Sequence, residues 1–400
     1  MQPNRLRLHA LDNLRGVMMW LGIVIHVAVM HMQGPSPINW HDPAKTQLAD
    51  LLVAFIHVFR MPVFFIVAGF FVAMLVEQRG PAAMLKHRFK RIALPFLLFW
   101  PLLLVAGGLA LLVHSHVAVH GTVGLDPGLL PPPPPGRPML NTMHLWFIYL
   151  LWWLAAGTAA LALLARRLPP AWSTGPARLL RRLGGAWWGP LVLTLPLLLA
   201  SLGHPNGILA PHGSLLPHWS EWLHNGLFFA AGLALYGARD VLLPLYARRA
   251  WLCVALGLPV FVGALALGGL RLRGVQLPQQ DLWMAASYNL ATWWWSAAAI
   301  GLFLRYLPAQ RRTLAYLADS AYWVYLVHFP LTVLFGALLL HAPLGPLAKM
   351  LINITLTTAA CLASYQLLVR GRWIGRLLSG DAGARARPAG TSAPRAAAAP

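Results

Sequence analysis

Few side chains in this sequence can do chemistry, and most of those that can stand inside or beside long apolar runs. His26 lies about twelve residues into the first run. At ~1.5 Å per residue that places it ~18 Å from the start of a helix, near or just beyond the middle of a bilayer. An imidazole titrates near neutral pH, so it suits general-base work or a covalent acyl intermediate. The structural alternative is a neutral ring hydrogen-bonded across helices. Asp12 and Arg15 are three apart and share a helical face at the inner end of the same run, as an ion pair, a topology anchor or part of a reaction path. His57 and Arg60 are also three apart, in Phe55-Ile56-His57-Val58-Phe59-Arg60-Met61-Pro62. An arginine at that depth must point into the bundle or into water, or snorkel to the surface. Arg88 and Arg91 open the third run, where two guanidinium groups beside a helix N-terminus make a suitable phosphate cradle. His144 marks the outer end of the fourth run, and His328 lies a few turns into the ninth. Glu221 and Asp319 stand at the starts of the sixth and ninth runs, and each of these four residues, taken alone, reads as structural.

The elements that position these groups follow from composition. Of 400 residues, 58% are hydrophobic and 10% charged, against ~25% charged in a soluble domain. So few charges do not cover a water-facing surface. The net charge of +21 sits in short clusters between apolar runs rather than on an aromatic-interleaved basic face, which argues against nucleic acid as partner. Cys253 and Cys361 lie within apolar runs and offer neither a disulfide framework nor metal-ligand spacing. No nucleophile elbow or glycine-rich nucleotide loop is present.

A spanning helix needs ~20 mainly apolar residues. The expected fold is therefore all-α: a polytopic bundle of about ten spans, near 13–32, 48–77, 92–113, 144–165, 187–202, 220–238, 250–270, 283–304, 320–340 and 347–369. The first run has no clear cleavage site and reads as a retained helix. The second is too long for the ~30 Å hydrocarbon core, which predicts a tilt, an interfacial start or a break near Pro62. With the N-terminus inside, 24 of the 31 Lys and Arg residues fall on inner segments and 5 outside, with Arg15 and Arg60 inside spans. That asymmetry predicts cytoplasmic termini. Residues 1–378 read as one membrane domain. Residues 379–400, mostly Ala, Pro, Gly and Arg, read as a disordered cytoplasmic tail. Pro131–Pro135 reads as a stiff external spacer. The tryptophans at 152–153, 187–188 and 293–295 read as interfacial belts.

Several segments together resemble the acyltransferase-3 family of membrane enzymes. They are Leu11-Asp12-Asn13-Leu14-Arg15-Gly16, His26, Phe64-Phe65-Ile66-Val67-Ala68-Gly69-Phe70, Arg88 with Arg91, His144-Leu145-Trp146-Phe147, and Tyr325-Leu326-Val327-His328. They occur in the family's order across nearly the whole chain. Phe55–Phe65, Tyr325–Thr332 and Leu378-Ser379-Gly380 are closer still to the branch that succinylates periplasmic glucans. Ala68 stands where the family often has Ser, and Phe329 where a second His can follow His328.

The resemblance implies a bacterial inner-membrane acyltransferase. It would move an acyl group from a cytoplasmic acyl-CoA (succinyl-CoA or acetyl-CoA) to an extracytoplasmic sugar hydroxyl, with no bound cofactor or metal. Membrane lipid, a glucan acceptor and glucan-synthesis partner proteins are the implied partners. His26 would be the base, with Asp12 and Arg15 shaping the inner path. Arg88 and Arg91 would hold the donor, and Arg60, His57, His144 and His328 the acyl group or acceptor. Two other classes fit the intramembrane His, Arg and Asp: a proton-coupled transporter of a glucan or organic acid, and a non-catalytic partner in a glucan-synthesis complex.

Overall fold

The computed structural model describes residues 3–36, 38–130, 138, 140–167, 170–201, 204, 208–209, 211–309 and 311–379. Pro131–Pro135, Arg137 and the tail beyond residue 379 lie outside the described residues.

Every described element is helical. In chain order they are α1 (Pro3–Ala28), α2 (Gln47–Arg79), α3 (Pro81–Arg88), α4 (Leu94–His120), α5 (Trp146–Leu164), α6 (Pro170–Gly185), α7 (Gly189–Ser201), α8 (Trp219–Gly237), α9 (Arg239–Leu272), α10 (Gln280–Tyr306), α11 (Arg312–Leu339), α12 (Pro346–Ser364) and α13 (Trp373–Ser379). Backbone polar groups in hydrocarbon must be satisfied within the segment, which is why apolar runs of this length wind as helices.

All ten expected spans are helical, but among the described residues only seven helical segments are both long and apolar enough to cross a membrane. The difference has a physical cause at each of the other three. α7 has 13 residues, ~20 Å of rise, short of a ~30 Å core. The α8 run is diluted by Ser220, Glu221, His224 and Asn225, and that of α10 by Tyr288, Asn289, Thr292 and its four tryptophans. Their polar residues face the protein: Ser220, Glu221, Asn225, Asn289 and Thr292 are all buried.

α2 settles the question posed by its length. It is one continuous helix of 33 residues with Pro62 inside it, so no break occurs there. Proline removes one intrahelical donor, and the packing around Pro62 holds the helix on either side: Met61, Val63, Phe64 and Phe65 are all buried. The Thr46 side chain caps its start by accepting from the Leu48 N–H, one of the orphan donors of a helix N-terminus.

α11 packs against α1, α4 and α12, α2 packs against α1 and α8, and α9 pairs with α10. The α2–α8 crossing is close enough that only glycine fits. A Cβ at Gly69 would strike the Phe229 carbonyl, and one at Gly232 the Ile66 carbonyl, the small-residue contact that lets membrane helices approach. Phe65, Phe70, Phe228, Leu11, Leu14 and Leu145 are among the fully buried side chains between these helices. α4 and α9 turn Leu98, Leu102, Val105, Leu252, Leu258 and Val262 outward, the apolar exterior that a lipid solvent requires.

Candidate functional site

Four elements bring the titratable groups of one end of the bundle together. α1 delivers His26 in its last turn. α2 delivers Arg60, the short 3₁₀ turn Met143–Leu145 before α5 delivers His144, and the middle of α11 delivers His328. The His26 and His328 rings lie 5.1 Å apart between centroids, and His144 and His328 5.4 Å apart. Phe329 forms an apolar wall beside them, 5.5 Å from His26 and stacked on His144 at 5.1 Å. Trp40, from the segment between α1 and α2, closes over Phe329 at 5.9 Å.

The hydrogen bonds fix which nitrogens are free. His328 Nδ1 lies 2.9 Å from the carbonyl oxygens of Val324 and Tyr325. A carbonyl only accepts, so Nδ1 donates and Nε2 of the neutral ring keeps its lone pair. His144 Nε2 donates to the Leu326 carbonyl at 2.9 Å, which leaves its Nδ1 as the free acceptor. The Tyr325 hydroxyl donates to the His144 carbonyl at 2.8 Å and locks the 3₁₀ turn onto α11. His328 Nε2 and His144 Nδ1 are both buried without a partner.

Arg60 complements them. Its Nε and Nη1 are buried without a partner, and Nη2 meets only the Met61 sulfur at 3.5 Å. A buried guanidinium with no carboxylate partner among the described residues is costly, which makes it a functional candidate by default. Gly22, one turn before His26, explains how the groups converge. A Cβ there would lie 3.2 Å from Arg60 Nη1 and 3.3 Å from His328 Nε2. An unsatisfied cationic donor and an unsatisfied imidazole acceptor thus flank the same bare stretch of α1, with His26 one turn away. The arrangement offers a base, two further imidazole acceptors and an anion-stabilising fork in a water-poor setting.

The remaining sequence candidates lie elsewhere. The helical span around α1 runs from His9 to His31, so His26 is nearer its far end than its middle. Asp12 and Arg15 are 3.3 Å apart as the spacing requires. They precede His26 by enough of α1 to lie roughly 21 and 17 Å from it along the axis, and are not in contact with the histidines. His57 shares a hydrogen bond with the Tyr288 hydroxyl at 3.0 Å. It opens on a separate pocket with His224, Asn225 and Asn289, whose free volume of about 20 Å³ admits roughly one water.

Arg88 and Arg91 share no simple helical face. Phe89–Ala93 winds as a π-helix, a wider turn that rotates Arg91 away from Arg88. The Tyr322 hydroxyl donates to the Arg91 carbonyl at 3.0 Å within that turn. Arg91 Nη1 then donates to the carbonyls of Arg376 and Leu377 at 2.6 and 2.8 Å, tying α13 to the bundle. Arg88 keeps its Nε buried and unpartnered, within electrostatic reach of Arg15.

Sequence reasoning missed Gly22, Tyr325 as a positioning group and Phe329 as a wall. A signal existed for the first: a glycine four residues before the histidine stands on the same helical face.

A family profile described as an acyltransferase domain matches residues 8–366. Similar curated proteins are glucans biosynthesis protein C of Salmonella typhi, 35% identical over 99 residues, and the protein of the same name from Escherichia coli (strain SMS-3-5 / SECEC), 35% identical over 97 residues. Each match covers 24% of this chain and 25% of the relative. The chain therefore aligns with about a quarter of the length of these relatives. No solved structure matches.

Proposed function

This chain belongs to the acyltransferase-3 family, and from that premise we propose that it is a membrane O-acyltransferase acting from an acyl-CoA donor onto hydroxyl groups of a glucan. The observation that carries the reading is the clustering of His26, His144 and His328 beside Arg60, which pairs with no carboxylate among the described residues. The glucan acceptor is supported by the names of the partial relatives. The distal carboxylate of a succinyl group would be a second use for the Arg60 charge, and succinyl is the acyl group proposed.

The chemistry needs a base, an oxyanion site and a leaving-group acid. His26 takes the proton of the sugar hydroxyl as that oxygen attacks the thioester carbonyl. Negative charge collects on the former carbonyl oxygen, where the free Arg60 N–H groups donate to it. Collapse expels the coenzyme A sulfur, which takes the proton back from His26, so no proton is gained or lost overall. His328 Nε2 and His144 Nδ1 accept hydrogen bonds from the acceptor's other hydroxyls and orient the attacking one. Phe329 and Trp40 restrict water, which would otherwise hydrolyse the thioester.

The donor would enter from the end that carries Arg15 and Arg88, with its phosphates on Arg88 and its extended pantetheine arm running along α1 to His26. In this reading the chain crosses a bacterial inner membrane about ten times with both termini cytoplasmic. α8 and α10 would cross with their polar residues turned into the protein, and α7, whose Leu191, Leu195 and Leu199 face outward, would need flanking residues to complete its crossing. Mass spectrometry of periplasmic glucans tests the function directly. Cells with the protein should carry acyl-substituted glucan and cells without it should not. Identical glucans in both would overturn the proposal.

A further inference from the structure

Away from the histidines, a cavity of about 230 Å³ opens between α6, α7, α8, α9 and α10. That is far more than one water requires. Leu183, Leu235, Leu242 and Leu256 give it an apolar wall. Tyr246, Cys253, Trp293 and Ser296 bring polar atoms to that wall. Trp293 Nε1 and Ser296 Oγ are buried and have no partner, and their side chains are 7% and 0% exposed. They are three apart on α10 and so share a face. Indole Nε1 can only donate, and a serine hydroxyl can donate too, so both call for an acceptor oxygen inside an apolar space.

The rim of the same cavity is cationic. Arg249 lines it and is exposed, with Nη1 donating to the Gly185 carbonyl at 3.2 Å. Arg248 precedes it on α9, and α6, which also borders the cavity, carries Arg181 and Arg182 outside its lining. A saccharide would leave its hydroxyls against leucine, and a plain hydrocarbon would leave Trp293 and Ser296 unsatisfied. A molecule that combines an acyl chain, an ester carbonyl and a phosphate supplies all three matches. We infer that this cavity binds one anionic glycerophospholipid of the surrounding bilayer. One acyl chain lies along the leucine wall, its ester carbonyl accepts from Trp293 Nε1 and Ser296 Oγ, and its phosphate sits at Arg249.

Ile66 also lines the cavity, and its carbonyl is the one in contact with Gly232 at the α2–α8 crossing. The bound lipid thus braces the helix that carries Arg60 six residues earlier.

The test needs no acyl transfer. The intact protein, reconstituted in vesicles of phosphatidylcholine doped with phosphatidylglycerol bearing a photoreactive acyl chain, is irradiated and its labelled peptides are mapped. The expected label concentrates on α9 and α10 peptides around Leu256 and Ser296, and excess unlabelled phosphatidylglycerol removes it. Arg249→Gln should lower that label at least roughly fivefold, and Trp293→Phe should lower it while leaving the protein in the vesicles. Label spread evenly over the outward faces of α4 and α9 would overturn the inference. So would equal competition by phosphatidylcholine, or equal competition by glycerol phosphate, which would indicate a free-phosphate site instead. If Trp293→Phe fails to insert, the mapping and competition on the unaltered chain decide alone.

Discussion

The two ends of the bundle use the same residue types to opposite effect. Near the His26 end, His328 Nε2, His144 Nδ1 and Arg60 Nε and Nη1 are buried with nothing to bond. Near the Arg15 end, Arg91 is bound to two carbonyls of α13, and Arg15 pairs with Asp12 at 3.3 Å. The atoms around His26 are held in reserve and most arginines of the other end are spent on architecture, with His87 Nδ1 and Arg88 Nε as the exceptions. Unsatisfied buried groups lower stability, so we propose that a substrate completes the hydrogen bonding of the group clustered around Arg60 and His328. Charge alone would have ranked the arginine-rich end first.

Substitutions can break that contrast. The largest effect is expected at His26: His26→Ala should lower acyl transfer by roughly 10²- to 10⁴-fold with unchanged membrane insertion, as read by turnover of the reconstituted protein. Arg60→Lys comes next, because an ammonium lacks the planar fork. A fall of roughly 10²- to 10³-fold in kcat is expected for loss of an oxyanion donor, and near-normal kcat would remove Arg60 from the oxyanion role. Gly22→Ala inserts a methyl between Arg60 Nη1 and His328 Nε2. A displacement of the order of 1 Å should cost up to roughly 10²-fold in kcat, with the melting temperature little changed. A large melting shift with intact kcat would make Gly22 a packing residue only.

The smaller effects lie at the other end. Arg88→Gln should raise KM for the donor roughly 10- to 150-fold and leave kcat alone, since one charge-assisted hydrogen bond to phosphate accounts for about 1.5–3 kcal/mol. Arg91→Ala should do the reverse of what a phosphate cradle implies. It should lower stability by about 1–3 kcal/mol and loosen α13 to proteolysis, with donor KM unchanged. A raised KM would return Arg91 to the donor site.

Legibility in the sequence followed the same divide. The helices were readable because a lipid-facing run has no other way to satisfy its backbone. His26 and Arg60 stood out because ionisable groups are rare at such depth, whereas His144 and His328 stood out only through the motifs that carry them. Their convergence over three hundred residues was not readable from spacing and came only from the order of motifs. Arg91 was misleading in isolation, since its partners are the backbone carbonyls of Arg376 and Leu377, which carry no side-chain signature. The π-turn at Phe89–Ala93 likewise defeats the rule that residues three apart share a face. Pro62 suggested a break because proline removes a hydrogen bond, yet the surrounding packing carries α2 straight through it.

The central claim is that donor and acceptor meet at His26 from opposite sides of the bilayer. Vesicles containing the oriented protein can be loaded with labelled succinyl-CoA on the Arg88 side and glucan on the His26 side. Label should then appear on the glucan, and vesicles with His26→Ala should show only background. Transfer by His26→Ala at the unaltered rate, or label on glucan only when both substrates share one compartment, would contradict the account.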